Sequence, residues 1–274
     1  MAPLLVLAAL YGLGWWRLAR RRPRGPAPAR LALAFGGLAA IAAALASPLD
    51  ALAERTFFAH MLQHMLLMMV AAPALLLADP LPIVLWALPA AGRRLAGRWL
   101  TRASRFGRAW RAATAMRFTW LAYAALLWLW HLPAAYDAAL ENRLVHDLEH
   151  VTFFLGALLF WWPVIDPAPR FRRRAAYGSR VAYVVLAAFQ TGALGLALTL
   201  APAVLYRSYT AAHQDPLAAL EDQAWGGIVM WAVGGLVDML AALVLVYRSL
   251  GSAPPARLAV VPTDHAASGR RAGG

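Results

Sequence analysis

The chain has 274 residues, of which 62% are hydrophobic, with a net charge of +13 and no cysteine. Long uncharged apolar stretches exclude a soluble globular domain, and the lack of cysteine excludes disulfides, thiolate metal ligands and Cys-x-x-Cys metal transfer. All 26 basic residues are arginines dispersed between apolar windows, which points to membrane topology and anionic-lipid contact, with no nucleic acid as partner.

In chain order the apolar windows run at about 2–16, 31–46, 57–78, 118–132, 146–164, 181–201 and 225–247. They predict one all-α integral membrane domain over residues 1–250, a bundle of seven transmembrane helices set in the lipid bilayer. The first window is shorter than the roughly 17–25 residues of a usual span. Its arginines follow it instead of preceding it, so it reads as a retained span and not as a cleaved signal. Loops 17–30, 79–117 and 165–180, with the tail from Arg248, hold 23 of the 26 arginines; the alternate loops hold Arg55, Arg143 and Arg207. The positive-inside rule then predicts an N-terminus outside and a cytoplasmic C-terminus. Segment 79–92 is broken by Pro80, Pro82 and Pro89, and is expected to lie in the inner interface or to continue the third helix past a kink. The stretch Arg93–Arg117 is expected to form an amphipathic surface helix, and residues 251–274 a disordered cytoplasmic tail.

Within the third window, FAHMLQHMLLMM sets His60, His64 and Met68 on one stripe at i, i+4 and i+8, with Met61, Met65 and Met69 on a neighbouring stripe. The fourth window ends in WLWHLP, with His131 before Pro133. VHDLEHVTFF opens the fifth, where His146, Glu149 and His150 share a face. The predicted topology brings all five histidines to the outer end of three helices, so the third and fifth helices are expected to be neighbours with facing histidine pairs. Imidazole is costly in hydrocarbon and is the commonest metal ligand, which makes this end a candidate metal site. Imidazole followed by thioether suits copper, and Glu149 suits a ligand or a group that orients a ring N–H. Methionine also packs well in apolar bundles. Nine of the thirteen acidic residues, among them Asp50, Asp147 and Asp222, fall on the same side and would give an arriving cation a negative mouth. In the seventh window, EDQAWGGIVMWAVGG, Asp222 and Gln223 sit at the outer end, and Gly226, Met230 and Gly234 form a small-residue stripe fit for close helix packing. Deeper in that window Asp238 is an intramembrane carboxylate, with Gln190 or an inner arginine as candidate partners.

Four segments, FAHMLQHMLLMMVAAPALLLADP, WHLPAAYDAALEN, VHDLEHVTFFLGALLFWWPV and EDQAWGGIVMWAVGGLVD, together resemble the polytopic cytochrome c oxidase assembly factor family of the CtaG type, over roughly residues 30–248. The resemblance implies a seven-helix protein of the plasma or inner cell membrane, without enzymatic activity, that helps mature a haem–copper oxidase by supplying copper. The implied partners are an oxidase subunit in the membrane and an extracytoplasmic copper donor. The family's histidine motifs fall on His60, His64, His131, His146 and His150, and its DQ-x-x-GG-x-x-MW motif on Asp222, Gln223, Gly226, Gly227, Met230 and Trp231. The candidate metal ligands are thus the five histidines with Met68, Met230, Glu149 and Asp222. Two other readings compete. A seven-helix zinc hydrolase would use the same histidines with Glu149 as general base, and a haem electron carrier would use histidines of the third and fifth helices.

Overall fold

Hydrocarbon offers a backbone no hydrogen-bond partners, so each apolar window satisfies its own N–H and C=O groups by coiling into a helix. The computed structural model describes residues 1–21, 25–212 and 215–251, and all regular structure among them is helical. In order these are α1 (Ala2–Arg21), α2 (Pro28–Leu45), α3 (Pro48–Ala53) and α4 (Phe57–Met65), which runs through a π turn (Leu66–Ala71) into α5 (Ala72–Leu77). Then come α6 (Pro80–Ala87), α7 (Ala90–Trp99), α8 (Arg105–Ala113), α9 (Met116–Trp130) and α10 (Pro133–Glu141). Last are α11 (Arg143–Ile165), α12 (Tyr177–Thr199), α13 (Arg207–Ala212) and α14 (Pro216–Leu250). Among the described residues six helices are long and apolar enough to cross a membrane: α1, α2, the continuous α4–α5 unit, α11, α12 and α14. The pair α8 and α9, bent by 60° at its junction, makes a seventh if counted as one span.

Several local expectations change. The first span is not short: α1 has 20 residues and carries Arg17, Arg20 and Arg21 within the helix. Arg93–Arg117 is two helices and the start of a third, because Ser104 stops and restarts the chain, its hydroxyl accepting from Gly107 N at 2.8 Å. Arg180 lies not in a loop but in the first turn of α12, where it is buried beside the Tyr177 ring. Segment 79–92 leaves the third span at Asp79, whose left-handed backbone (φ 51°) turns the chain into the separate helix α6. α6 lies along the last turns of α1, with Tyr11 donating to Ala78 O at 3.0 Å and Arg17 to Ala87 O at 2.7 Å. The tail beyond Gly251 lies outside the described residues.

The two ends of the bundle differ chemically. At the arginine end, Asp79 pairs with Arg30 (3.4 Å) and Arg170 (3.6 Å), and Asp166 with Arg170 and Arg174, tying α2 to the α5–α6 turn and the α11–α12 loop. Between the ends, α12 and α14 run antiparallel and cross closely where Gly195 meets Gly227. A side chain on Gly227 would begin 2.6 Å from Gly195 O, so only hydrogen fits. The core holds Met61, Met65, Met68, Met69 and Met230 from α4, the π turn and α14, and rings such as Phe160 stacked on Tyr183 at 4.9 Å.

Candidate metal centre

The N-terminal N–H groups of a helix have no partner within it. In α4 they are met by two side chains. Thr56 accepts from Ala59 N, and the carboxylate of Asp222, reaching across from α14, accepts from Phe57 N (2.6 Å) and Phe58 N (3.1 Å). Asp222 therefore acts as a remote anionic cap that complements the positive helix end and fixes where His60 begins its turn. α11 starts on an Asn142 cap, whose Oδ1 accepts from Leu144 N at 2.9 Å, and carries His146, Glu149 and His150 in its first two turns.

These two helix starts face each other. The rings of His60 and His64 stack at 4.4 Å, His60 and His146 lie 5.2 Å apart, and so do His64 and His150. Two sets of donor atoms come within 4.8 Å of one another: His60, His146 and His150, and His60, His64 and Glu149. His60 belongs to both. Burial is graded, with His146 half-buried and His64, Glu149 and His150 buried. His60 is 0% exposed and Glu149 1%. The Glu149 oxygens lie 3.5 Å from His60 Nε2 and 3.8 Å from His64 Nε2, within ion-pair range but making no hydrogen bond. Nε2 of His60, His64, His146 and His150 also has no hydrogen-bond partner. Buried polar atoms without partners cost several kcal/mol by transfer data, and a carboxylate costs more. A divalent cation among them removes that cost. Imidazole nitrogen with carboxylate oxygen is a donor set for Cu(II) or Zn(II).

The ring orientation is also set. Tyr209 donates its hydroxyl proton to Ala53 O at 2.9 Å, so its oxygen accepts from His60 Nδ1 at 3.2 Å. His60 then carries its proton on Nδ1 and turns a bare Nε2 lone pair toward Glu149. Tyr136 lies 3.3 Å from the same hydroxyl, and Phe57 stacks on Tyr206 at 5.1 Å, closing an aromatic layer over the histidines. Sequence reasoning missed these tyrosines. Their one signal was position: Tyr136, Tyr206 and Tyr209 all lie in the segments that join the apolar windows on the histidine side.

His131 and Asp222 fall outside the two His and carboxylate donor sets, and the methionines are placed by their packing. His131 donates from Nδ1 to Leu127 O (2.7 Å), and its Nε2 is buried without a partner; its ring sits 6.2 Å from Phe153, whose other neighbour is His64 at 4.7 Å. Met68 is buried, its carbonyl accepting from Trp161 Nε1 at 3.0 Å. It lies inside the π turn, which adds a residue to the helical turn, so the i, i+4, i+8 stripe loses its phase after His64. Met65 and Met69 face α14, their side chains lying 3.9 and 3.8 Å from where a Gly234 Cβ would stand, and Met61 packs at Gly226 in the same way. Met230, one turn from each of those glycines and wholly buried, belongs to that methionine layer. Gln223 holds the α12–α13 connection, its Oε1 accepting from Leu205 N at 2.8 Å. Just past the middle of α14, Asp238 is buried with an unpartnered Oδ1, while Gln190 is engaged by Trp128 and Thr191.

The family model described as cytochrome c oxidase caa3 assembly factor (Caa3_CtaG) matches residues 9–252, a stretch that includes every residue of the centre and all of α14. No curated protein and no solved structure matches the chain.

Proposed function

The chain belongs to the cytochrome c oxidase caa3 assembly factor family, and on that premise we propose that it carries copper at the His60/His64/His146/Glu149/His150 centre and loads it into the haem–copper oxidase within the membrane. The observation that carries this reading is the inward convergence of buried imidazole and carboxylate lone pairs with no hydrogen-bond partner. Copper is the cargo here, not a resident cofactor. The half-buried His146 receives the ion from an extracytoplasmic donor, with Asp50 and Asp147 supplying attraction. His60, shared by both donor sets, lets the ion exchange from His146 and His150 to His64 and Glu149 without ever losing an imidazole. Met61, Met65 and Met69 pack against α14, and the imidazole and carboxylate donors that remain favour Cu(II) over Cu(I). His131 is one ring further in and is the next ligand on the way out.

The same donor set also accommodates zinc, and Glu149 beside two imidazoles is what a zinc hydrolase would place as general base. The family's assembly role and the absence of HExxH favour copper delivery. The deciding experiment compares oxidase activity and copper-to-haem ratio in a deletion strain, complemented by wild type or by the His60→Ala/His64→Ala double variant. Deletion and the double variant are expected to leave oxidase with haem but deficient in copper. A fully copper-loaded, active oxidase in the deletion strain overturns the proposal. Stoichiometric zinc, with no copper, in the purified protein transfers the centre to the hydrolase reading.

A further inference from the structure

Below the close crossing at Gly195 and Gly227, α12 and α14 part. A groove of about 540 Å3 opens between them toward the membrane, with Ala188, Gly192 and Gly235 among its walls and Asp238 at its floor. Its rim is apolar: Phe189 is 74% exposed, and Met239 is exposed as well.

Two independent features separate this groove from ordinary lipid-facing surface. The first is its glycines. Gly195 and Gly227 are demanded by the helix crossing, but a Cβ on Gly192 or Gly235 would meet no atom within 4 Å. Nothing among the described residues requires these two to be small. In a membrane, small residues on an uncovered helix face let another helix approach closely. The second is Asp238. It is 2% exposed, lines the groove, and its Oδ1 has no hydrogen-bond partner. The hydroxyls that feel its charge, Tyr123 and Tyr183, make no hydrogen bond to it, Tyr183 donating to Phe160 O instead, and Gln190 is engaged by Trp128 and Thr191. A carboxyl group held in hydrocarbon without a donor marks a missing partner.

We infer that this groove docks one transmembrane helix of the oxidase, a helix that presents a hydrogen-bond donor or a cationic side chain to Asp238. That the partner is an oxidase rests on the proposed function; that it is a helix bearing a donor rests on the groove. A lipid chain fills apolar volume but brings no donor. A second copy of this chain, related by a two-fold axis through the groove, sets two identical acidic groups face to face and brings neither a cation nor a fixed N–H donor. A helix with Arg, Lys, Asn, Ser or Trp at the matching depth satisfies the carboxyl and fills the space above Gly192 and Gly235. Asp238 lies 16 residues beyond Asp222, so this depth is about 24 Å along α14 from the histidine end at 1.5 Å per residue.

The test uses the full-length protein in native membranes, with a photo-crosslinking amino acid at Phe189 and identification of the crosslinked peptides by mass spectrometry. The expected product joins Phe189 to an oxidase transmembrane segment that carries a donor side chain. Gly192→Leu and Gly235→Leu fill space the fold leaves open, and each is expected to cut the crosslink at least tenfold with metal content unchanged. Met239→Trp blocks the rim independently, should either leucine variant fail to accumulate. Asp238→Asn, which keeps the volume and removes the charge, is expected to cut it several-fold. Crosslinks confined to lipid or to a second copy overturn the inference, as does an oxidase crosslink undiminished by all the blocking variants. The His60→Ala/His64→Ala variant separates the two proposals, because it is expected to lose metal and keep the crosslink. If copper delivery fails as a reading, that crosslink still stands or falls with the groove.

Discussion

Glu149 is the side chain on which the charge of the centre depends. It stands within 3.8 Å of two imidazoles, with both oxygens free of hydrogen bonds, so it neutralises an incoming cation at no cost in broken contacts. Glu149→Gln keeps the shape but turns an amide N–H2 toward lone pairs. Copper affinity, measured by competition with a chelator, is expected to fall at least tenfold, the scale of loss when a group oriented on a metal site is removed. Met61→Leu is the contrast: that side chain packs at Gly226, and a volume-conserving swap there is expected to leave metal binding unchanged at a stability cost below about 1.5 kcal/mol. An affinity loss for Met61→Leu equal to that of Glu149→Gln would return the methionines to the ligand set. The histidine pairs were legible because i,i+4 spacing fixes a face wherever the helix is regular. Met68 was not, because nothing in LLMMVA announces a π turn. Tyr209 was not either, since its bond to His60 joins residues 149 apart.

At the scale of helices, the double glycines of α14 divide by neighbour. Gly227 abuts the α12 backbone, whereas Gly235 faces open space. Gly227→Ala is expected to push the two helices apart and destabilise the protein by about 1–3 kcal/mol. Gly235→Ala is expected to unfold at the wild-type temperature, or slightly above it, since alanine is the better helix former. Thermal unfolding of both variants in the same detergent checks the difference, and equal melting temperatures would contradict the crossing. The sequence could show that these glycines lie near one stripe but not which of them another helix covers. The break at Ser104 was hidden for a related reason: arginines at helical spacing fit one long amphipathic helix as well as two short ones. The existence of the apolar helices, by contrast, was legible, because hydrocarbon admits no alternative to the helix, whereas their ends were not: α1 and α14 run past their windows into polar sequence.

Across the whole molecule, charge separates two ends. Ion pairs among Asp79, Asp166, Arg30, Arg170 and Arg174 gather at one, and the histidines and the aromatic layer at the other. The arginine distribution predicts that the first of these ends is cytoplasmic. Reporter fusions after Arg24, Arg111 and Arg174 are expected to read cytoplasmic, and an external reading at any two inverts the orientation and with it the side on which the histidine end lies. How the helices neighbour one another was legible only for the third and fifth, whose shared histidines demanded it. Of the groove between α12 and α14 only Asp238 was legible, as a carboxylate inside an apolar window; which residues line the groove depends on how the two helices pack.

The cap on α4 imposes an order on biogenesis. Phe57 and Asp222 are 165 residues apart, and His60 takes its orientation from Tyr209, which also lies in the last third of the chain. While the ribosome is still making α12, the start of α4 therefore lacks its anionic cap and His60 is free to spin. A nascent chain holds the imidazoles without the geometry, and a stalled or truncated one never gains it. In the proposed role, the capped start of α4 and the oriented His60 ring belong only to chains whose α13 and α14 are in place, so the full geometry of the centre arrives late in synthesis and an ion offered earlier meets imidazoles that nothing yet holds in register.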